Sequence, residues 1–537
     1  MILVIGSGPA GISAAAALLA NGHRVTMVDA GLQLEPERRD VVATMAGQTP
    51  GQWSAGSLAA IKDKMVSGKS GIPLKYVYGS DFPYRETDRY IPRVASEVGL
   101  VPSLARGGFS NVWGAAVLPY LREELGGWPV SYDELAPHYE AVLRLTGLAG
   151  SDDDLSGRFP LFHGDPRPLP RSRQASAFLA DLQAHREQLN ARGVVFGGSR
   201  LAVSAVNPAG TACAACGLCM YGCPYGLIYS TNSTLDSLLA NPAFTYKGGV
   251  VVDRFKEAGD GVRLEARSIE DGSPLEIEGD RVMVAAGVLA STKLLLDSAG
   301  AFGRTLTVKD SQYFLLPLLR HRGVSGAAKE SLHTLSQLFI EIFDREVSEH
   351  SVHLQVYTYN DLYRQAVQAV AGPAFPAVRP GLDAFLNRFL IIQGYLHSDL
   401  SSSISISLEQ GDGGGTRLRL DGVINPETKP ALRRVARKLA ANRSLMKASP
   451  MTPMLKASEP GRGFHSGGTL PMRERPGDFE TDRWGRPGGY ERVHIVDSSV
   501  FPTINASTIT LTVMANAHRI AAGFDRPAAP TAPEARG

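Results

Sequence analysis

Met1-Ile2-Leu3-Val4-Ile5-Gly6-Ser7-Gly8-Pro9-Ala10-Gly11-Ile12 opens the chain. Five apolar residues lead into a G-x-G-x-x-G turn, and a helical pattern runs from Ile12 to Asn21. Arg24-Val25-Thr26-Met27-Val28-Asp29 then reads as a second buried strand ending in an acid. Strand, glycine-rich turn, helix, strand and acid together form the context in which this spacing binds a dinucleotide. Gly6, Gly8 and Gly11 would let the backbone approach a pyrophosphate resting on the amide-rich start of the helix. Asp29 is placed to accept hydrogen bonds from the adenosine ribose. The plain alternative is a glycine-rich turn closing an ordinary βα unit. Met1–Ala20 is apolar enough to imitate a signal peptide or a membrane span, but its glycines, Pro9 and the lack of a basic start argue against both.

With 537 residues the chain has room for more than one folding lobe. A net charge of +2, from 55 basic and 53 acidic residues, favours neither nucleic acid nor an anionic membrane. All four cysteines, Cys213, Cys216, Cys219 and Cys223, fall in one C-x2-C-x2-C-x3-C-P run, the spacing that bacterial ferredoxins use for an iron–sulfur cluster. In two-cluster ferredoxins the fourth cysteine of such a run serves the other cluster, and no further cysteine exists here. A single cluster remains, either four-iron on all four thiolates or three-iron on three of them. A structural zinc on four local thiolates and plain packing or a local disulfide are the alternatives; thiol catalysis lacks a nearby base. Clustered thiols favour a reducing compartment. The expected location is cytoplasmic, with export only through a partner carrying a signal.

Further along, residues 32–105 read as irregular. Gly107-Gly108-Phe109-Ser110-Asn111-Val112-Trp113-Gly114 is a second glycine-rich element, and Trp128–Leu135 starts a helix with a Ser131/Glu134 capping box. Strands are expected at Val250–Phe255, Val262–Ser268 and Arg281–Ala286, the last leading through Gly287 into a helix over Leu289–Asp297. Alternation predicts an antiparallel sheet from Gln337–Phe343, His353–Tyr359 and Ser402–Glu409, with Gly411–Gly415 turning into Arg417–Leu420. Residues 430–446 read as one basic amphipathic helix with a solvated face, and 526–537 as a disordered tail.

Several of these segments resemble the glucose–methanol–choline (GMC) oxidoreductase family. They are the Gly6–Gly11 turn, the Gly107–Gly114 element and Trp128–Leu135 with Pro137-His138-Tyr139. Val284-Ala285-Ala286-Gly287 with Ser291, His465-Ser466-Gly467-Gly468-Thr469, and Val496-Asp497-Ser498-Ser499-Val500-Phe501-Pro502-Thr503 complete the set. The resemblance implies an α/β FAD-binding Rossmann-like lobe over residues 1–300 and 466–525, carrying the cysteine loop 211–226. It also implies an α+β substrate lobe with an antiparallel sheet over 301–465. It makes Gly6, Gly8, Gly11, Asp29, Gly107, Gly108, Ser110, Asn111, Trp113, Val251, Ala286, Gly287, Asp497, Ser498 and Thr510 the expected FAD contacts.

The implied reaction oxidises an alcohol or sugar hydroxyl, with His465 as base and hydride passing to the flavin N5. Where the family places a second histidine or asparagine, this chain has Thr508, with Asn505 three residues earlier. The glucose dehydrogenase branch is similar in holding a three-iron cluster on a C-x5-C-x3-C run, which Cys213, Cys219 and Cys223 reproduce. A cluster would relay electrons singly to an acceptor protein. The alternatives are an oxygen-using oxidase with a zinc-bound or cluster-free cysteine loop, and a non-catalytic flavin-fold electron-transfer or assembly subunit. Among the substrate-side residues, His397, Asp310 and Gln312 stand out without an assignable role.

Overall fold

The computed structural model describes residues 1–63, 74–204, 206, 210, 212–362, 375–411 and 414–525. It is a mixed α/β structure with several sheets. A five-stranded parallel sheet has the order Val493–Ile495, Arg281–Val284, Ile2–Ile5, Val25–Val28, Phe244–Lys247. Its three middle strands are mostly apolar and buried, with Arg281 and Thr26 the polar exceptions, because both faces are covered. Helix Pro9–Ala20 begins directly above the first strand and packs on the last helix, Ile509–Gly523, so the two ends of the chain build one layer. Small residues Ala10, Ala14, Ala15 and Ala17 are buried along Pro9–Ala20.

The glycine turn has a steric cause. A side-chain carbon on Gly6, at φ +98°, would lie 2.6 Å from the Ala285 carbonyl oxygen, and one on Gly11 would lie 1.9 Å from the Gly6 oxygen. First strand, helix and the Arg281–Val284 strand can close together only with glycine at both places.

The largest antiparallel sheet runs Ala448–Pro450, Tyr313–Arg320, Phe389–Tyr395, Val352–Tyr357, Leu338–Ile342, Val194–Gly198, with Lys456–Ala457 beside Tyr313–Arg320. One face carries Leu316, Leu354, Val356, Ile392 and Ile340, buried with Phe178 and Leu182 of helix Arg173–Gln183 and Leu432, Val435 and Leu439 of helix Thr428–Ala441. A second sheet of five strands runs Ser466–Gly467, Thr305–Asp310, Ser403–Gln410, Thr416–Val423, Arg93–Ser96, and a three-stranded sheet joins Val250–Ala258, Gly261–Ser268 and Pro274–Gly279.

The fold departs from the sequence reading in identifiable places. The stretch 32–105 contains helices Pro36–Ala46 and Ala55–Lys62. Each buries a single residue, Met45 and Ile61, and so leaves no apolar stripe to read. The basic helix is two, Thr428–Ala441 and Arg443–Met446, hinged at Asn442. Arg93–Ser96 and Val194–Gly198, early in the chain, contribute strands to sheets formed mostly from residues after 300. Part of the expected Gly411–Gly415 turn and the expected disordered tail lie outside the described residues. Among the described residues no helix is long and apolar enough to cross a membrane.

Candidate active site and cysteine loop

A cleft of about 240 Å³ opens above the carboxyl ends of the parallel strands, lined by Gly6, Gly8, Asp29, Gly108, Val251, Ala286, Gly287, Asp497, Ser498 and Thr510. Ligands of open parallel sheets bind at this end of the strands. Side-chain carbons on Gly8 or Gly287 would meet no protein atom within 4 Å. Both positions therefore leave bare backbone facing open space, beside the helix start at Pro9. Asp29 is buried; its Oδ2 accepts from the Ser7 hydroxyl and from Tyr246 Oη at 3.0 Å. Burial pushes its pKa up to about 6 against those hydrogen bonds. Asp497 accepts from Gly287 N at 2.9 Å and Ser291 Oγ at 2.5 Å, tying the end of the Arg281–Val284 strand to the last motif. These features fit a dinucleotide: bare amides for the phosphates and a buried acid for a ribose.

The other expected contacts stand behind the cleft. Gly11 serves helix–strand packing, as above. Gly107 N donates to Ser7 Oγ at 2.8 Å, and Ser110 Oγ donates to Gly107 O at 2.6 Å. Asn111 Nδ2 donates to Arg106 O at 2.9 Å and Gly108 O at 2.7 Å, and Trp113 Nε1 donates to Tyr229 O at 2.8 Å. They shape the second glycine-rich element rather than line the space.

His465 sits on a loop that the antiparallel sheets hold from below. Ser311 N donates to His465 O at 2.9 Å, and Ser466 pairs with Asp310 across two strands. Asp310 is fully buried. Its carboxylate accepts from Gly461 N and from Ser466 Oγ, both at 2.7 Å, so it clamps the loop on either side of His465. Burial pushes the Asp310 pKa up to about 7. Gln312 is also structural: Nε2 donates to Ser458 O and Tyr313 O, both at 3.0 Å.

The His465 ring stacks on Tyr395 with centroids 4.5 Å apart and planes 17° apart. Its Nδ1 is buried with no hydrogen-bond partner among the described residues. Desolvation, reinforced by His353, pushes its pKa down to about 3. A neutral imidazole with an open nitrogen is in the state a proton acceptor requires.

Thr508 precedes helix Ile509–Gly523, and its Oγ1 accepts from Leu118 N at 2.7 Å. Asn505 is fully buried, takes a 3.4 Å contact from Thr503 Oγ1 on Oδ1, contacts His397, and has no partner for Nδ2 among the described residues.

A polar face went unread in the sequence. His353, Gln355 and Tyr357 alternate along strand Val352–Tyr357 and share one side of it. Tyr357 Oη donates to Gln355 Oε1 at 3.0 Å, Gln355 Nε2 meets His353 Nε2 at 3.1 Å, and His353 Nδ1 meets Glu341 Oε1 at 2.5 Å. Tyr357 Oη lies 3.5 Å from where a side-chain carbon on Gly114 would sit, and His353 stacks beside Tyr395. Polar residues at every second position of a strand buried on both sides were the available signal.

The four cysteines are half-buried and reduced. Backbone amides of Ala215, Leu218 and Thr334 face the sulfurs of Cys213, Cys216 and Cys219. Ala215 at φ +49°, Gly217 at φ +76° and Gly222 at φ +113° wind the loop around them. Burial pushes the Cys216 thiol up to about 12, so metal binding here must displace protons. Among the described residues no three of these sulfurs lie within 4.8 Å of one another. A tetrahedral zinc needs sulfurs about 3.8 Å apart, whereas the corners of a multi-iron cluster carry thiolates farther apart. Lys75 lies close enough to Cys219 and Cys223 to feel their charge, and its Nζ donates to Trp113 O at 2.9 Å; Tyr78 Oη donates to Cys223 O at 2.9 Å. These bonds join the cysteine loop to the second glycine-rich element.

With this geometry in place, residues 427–517 match the family model described as GMC oxidoreductase. Over that segment the chain is similar to the GMC oxidoreductase family. GMC oxidoreductases bind FAD. The chain is 23% identical, over 96% of its length and 90% of the relative's, to the 6'''-hydroxyparomomycin C oxidase of Streptomyces lividus. The pyridoxine 4-oxidase from Mesorbium loti shares the fold, with a TM-score of 0.56 at 16% identity over 97% of this chain and 98% of that one.

Proposed function

We propose that the chain is a GMC oxidoreductase that binds FAD in the cleft above the parallel sheet and oxidises a hydroxyl of a polar, hydroxyl-bearing small molecule. The observation that carries this reading is His465, neutral, with an unpartnered nitrogen, on a loop clamped by Asp310. FAD, when bound, supplies the acceptor for the carbinol hydride. His465 takes the hydroxyl proton as that hydride leaves, and the Tyr395 ring fixes the plane of the imidazole. Asp29 would hold the ribose, and Gly8, Gly287 and the helix start the pyrophosphate. Thr508, spent on Leu118, donates at most one hydrogen bond to the substrate oxygen; Asn505, with its free Nδ2, is the better-placed second polar group. Anaerobic addition of sugars, polyols and hydroxylated amines to the flavin-loaded protein tests the reading. Bleaching of the flavin by one class supports it, and no bleaching across the panel favours a non-catalytic electron-transfer or assembly subunit.

For the fate of the electrons we propose an iron–sulfur cluster on Cys213, Cys216, Cys219 and Cys223, or a three-iron one without Cys216, passing single electrons to an acceptor protein. Amide donors to three sulfurs and the Lys75 link to Trp113 support it. A second reading, oxygen as acceptor with a cluster-free loop, draws on both compared proteins being named oxidases. Iron and acid-labile sulfide in anaerobically purified protein decide for the cluster. Their absence, with hydrogen peroxide formed at the rate seen with artificial acceptors, decides for the oxidase.

A further inference from the structure

Away from the cleft and the cysteines, three potential ligand atoms converge. His350 Nε2 lies 3.0 Å and His397 Nδ1 3.4 Å from the same oxygen, Asp399 Oδ2. The three ligand atoms all lie within 4.8 Å of one another. A tetrahedral ion with nitrogen and oxygen ligands at about 2.1 Å has edges of about 3.4 Å, so the two measured edges need almost no adjustment. The imidazoles are stacked face to face, centroids 3.5 Å and planes 16° apart, so binding one ion would tilt the more exposed His350 ring toward it. His397 is pinned by its buried position, and its Nδ1 accepts only a 3.2 Å contact from Asp399 N. His350 and Asp399 are partly exposed, 28% and 58%, so an ion can enter. A second carboxylate, Glu124, stands close enough to His350 to feel its charge. Glu124 accepts from Ser351 N and Oγ on Oε1, while its buried Oε2 has no partner among the described residues.

We propose that His350, His397 and Asp399 bind one divalent cation of the zinc type, with water completing the shell. Two imidazoles and a carboxylate are a borderline ligand set that selects zinc, cobalt or nickel over calcium or magnesium. His350 precedes strand Val352–Tyr357, and His397 and Asp399 follow Phe389–Tyr395. The ion would pin adjacent ends of the two strands that carry His353 and Tyr395. Its role is structural, coupled to the active site because His397 also contacts Asn505.

The test uses the full chain, stripped with chelator and reloaded with cobalt under reducing conditions. The parent should retain one more equivalent of cobalt after dialysis than His350→Ala or Asp399→Asn. That equivalent should show a visible tetrahedral band without the near-ultraviolet thiolate band, which would mark the cysteine loop. Zinc should raise the Tm of the parent by several degrees and leave both variants unmoved. His350→Gln, which keeps the ring volume, serves as the second variant if His350→Ala fails to fold. Equal cobalt retention by parent and variants, or retained cobalt showing only thiolate absorption, overturns the proposal.

Discussion

The two sides of this molecule build their sites from different materials. The parallel sheet makes its cleft from backbone: Gly8 and Gly287 leave amides facing open space, while Gly6 and Gly11 let strand and helix close behind them. The antiparallel sheet makes its half from side chains, with His465 resting on Tyr395 above the line His353, Gln355, Tyr357 and Glu341. At Gly6 and Gly11 the backbone site tolerates no side chain, because the colliding atoms are themselves backbone. A side-chain site can keep its shape while its chemistry changes.

The largest effect expected of this contrast is at Gly11. Gly11→Val forces a side chain into the Gly6 carbonyl, 1.9 Å from where its first carbon would sit. We expect loss of bound flavin and a fall in stability of about 3 kcal/mol or more, read by flavin absorbance and chemical unfolding. Retention of flavin at parental stability would break the comparison from the backbone side.

Glu341→Ala comes next. It leaves His353 without its partner in a site where both side chains are fully buried, costing about 3 kcal/mol while flavin stays bound. Turnover should fall through a higher KM if the His353 face meets substrate.

Asp310→Ala strands Gly461 N and Ser466 Oγ, at about 1–3 kcal/mol for each unpaired group, and kcat should drop with flavin retained. Asp310→Asn gives a sharper readout in pH. Burial raises the folded-state pKa of Asp310 to about 7, above the ordinary aspartate value of 3.8. Its contribution to stability is therefore fully present below pH 3.8 and is lost as pH rises through 7. In Asp310→Asn the decline of Tm between those limits should be shallower than in the parent.

The smallest effect is at Thr508. Thr508→Val loses one buried acceptor for Leu118 N, about 1 kcal/mol, with turnover changed only a few-fold. A collapse of turnover at parental stability would return Thr508 to the chemistry.

The same contrast explains what was legible in the sequence. Steric necessity writes glycine at fixed spacing, so the Gly6–Gly11 turn, the parallel strands on either side of it and Asp29 could be placed from the residues alone. The His465 loop was legible through its resemblance to a family motif. The clamp was not: Asp310 and Ser466 are 156 positions apart, and only the sheet register brings them together. His353 and Glu341 escaped for a related reason. A polar residue in a strand reads as solvent-facing unless the burial of both faces is already known. Helices Pro36–Ala46 and Ala55–Lys62 escaped for the opposite reason, being too exposed to carry a pattern.

If His465 is the neutral base of hydride transfer, the reductive half-reaction must depend on it. With the best alcohol from the panel, anaerobic stopped-flow bleaching of the flavin should be about 100- to 10,000-fold slower in His465→Gln than in the parent, with flavin content unchanged. Because burial holds the His465 pKa down to about 3, the parental rate should show no acid limb near pH 6.5. Bleaching at the parental rate in His465→Gln would contradict the account.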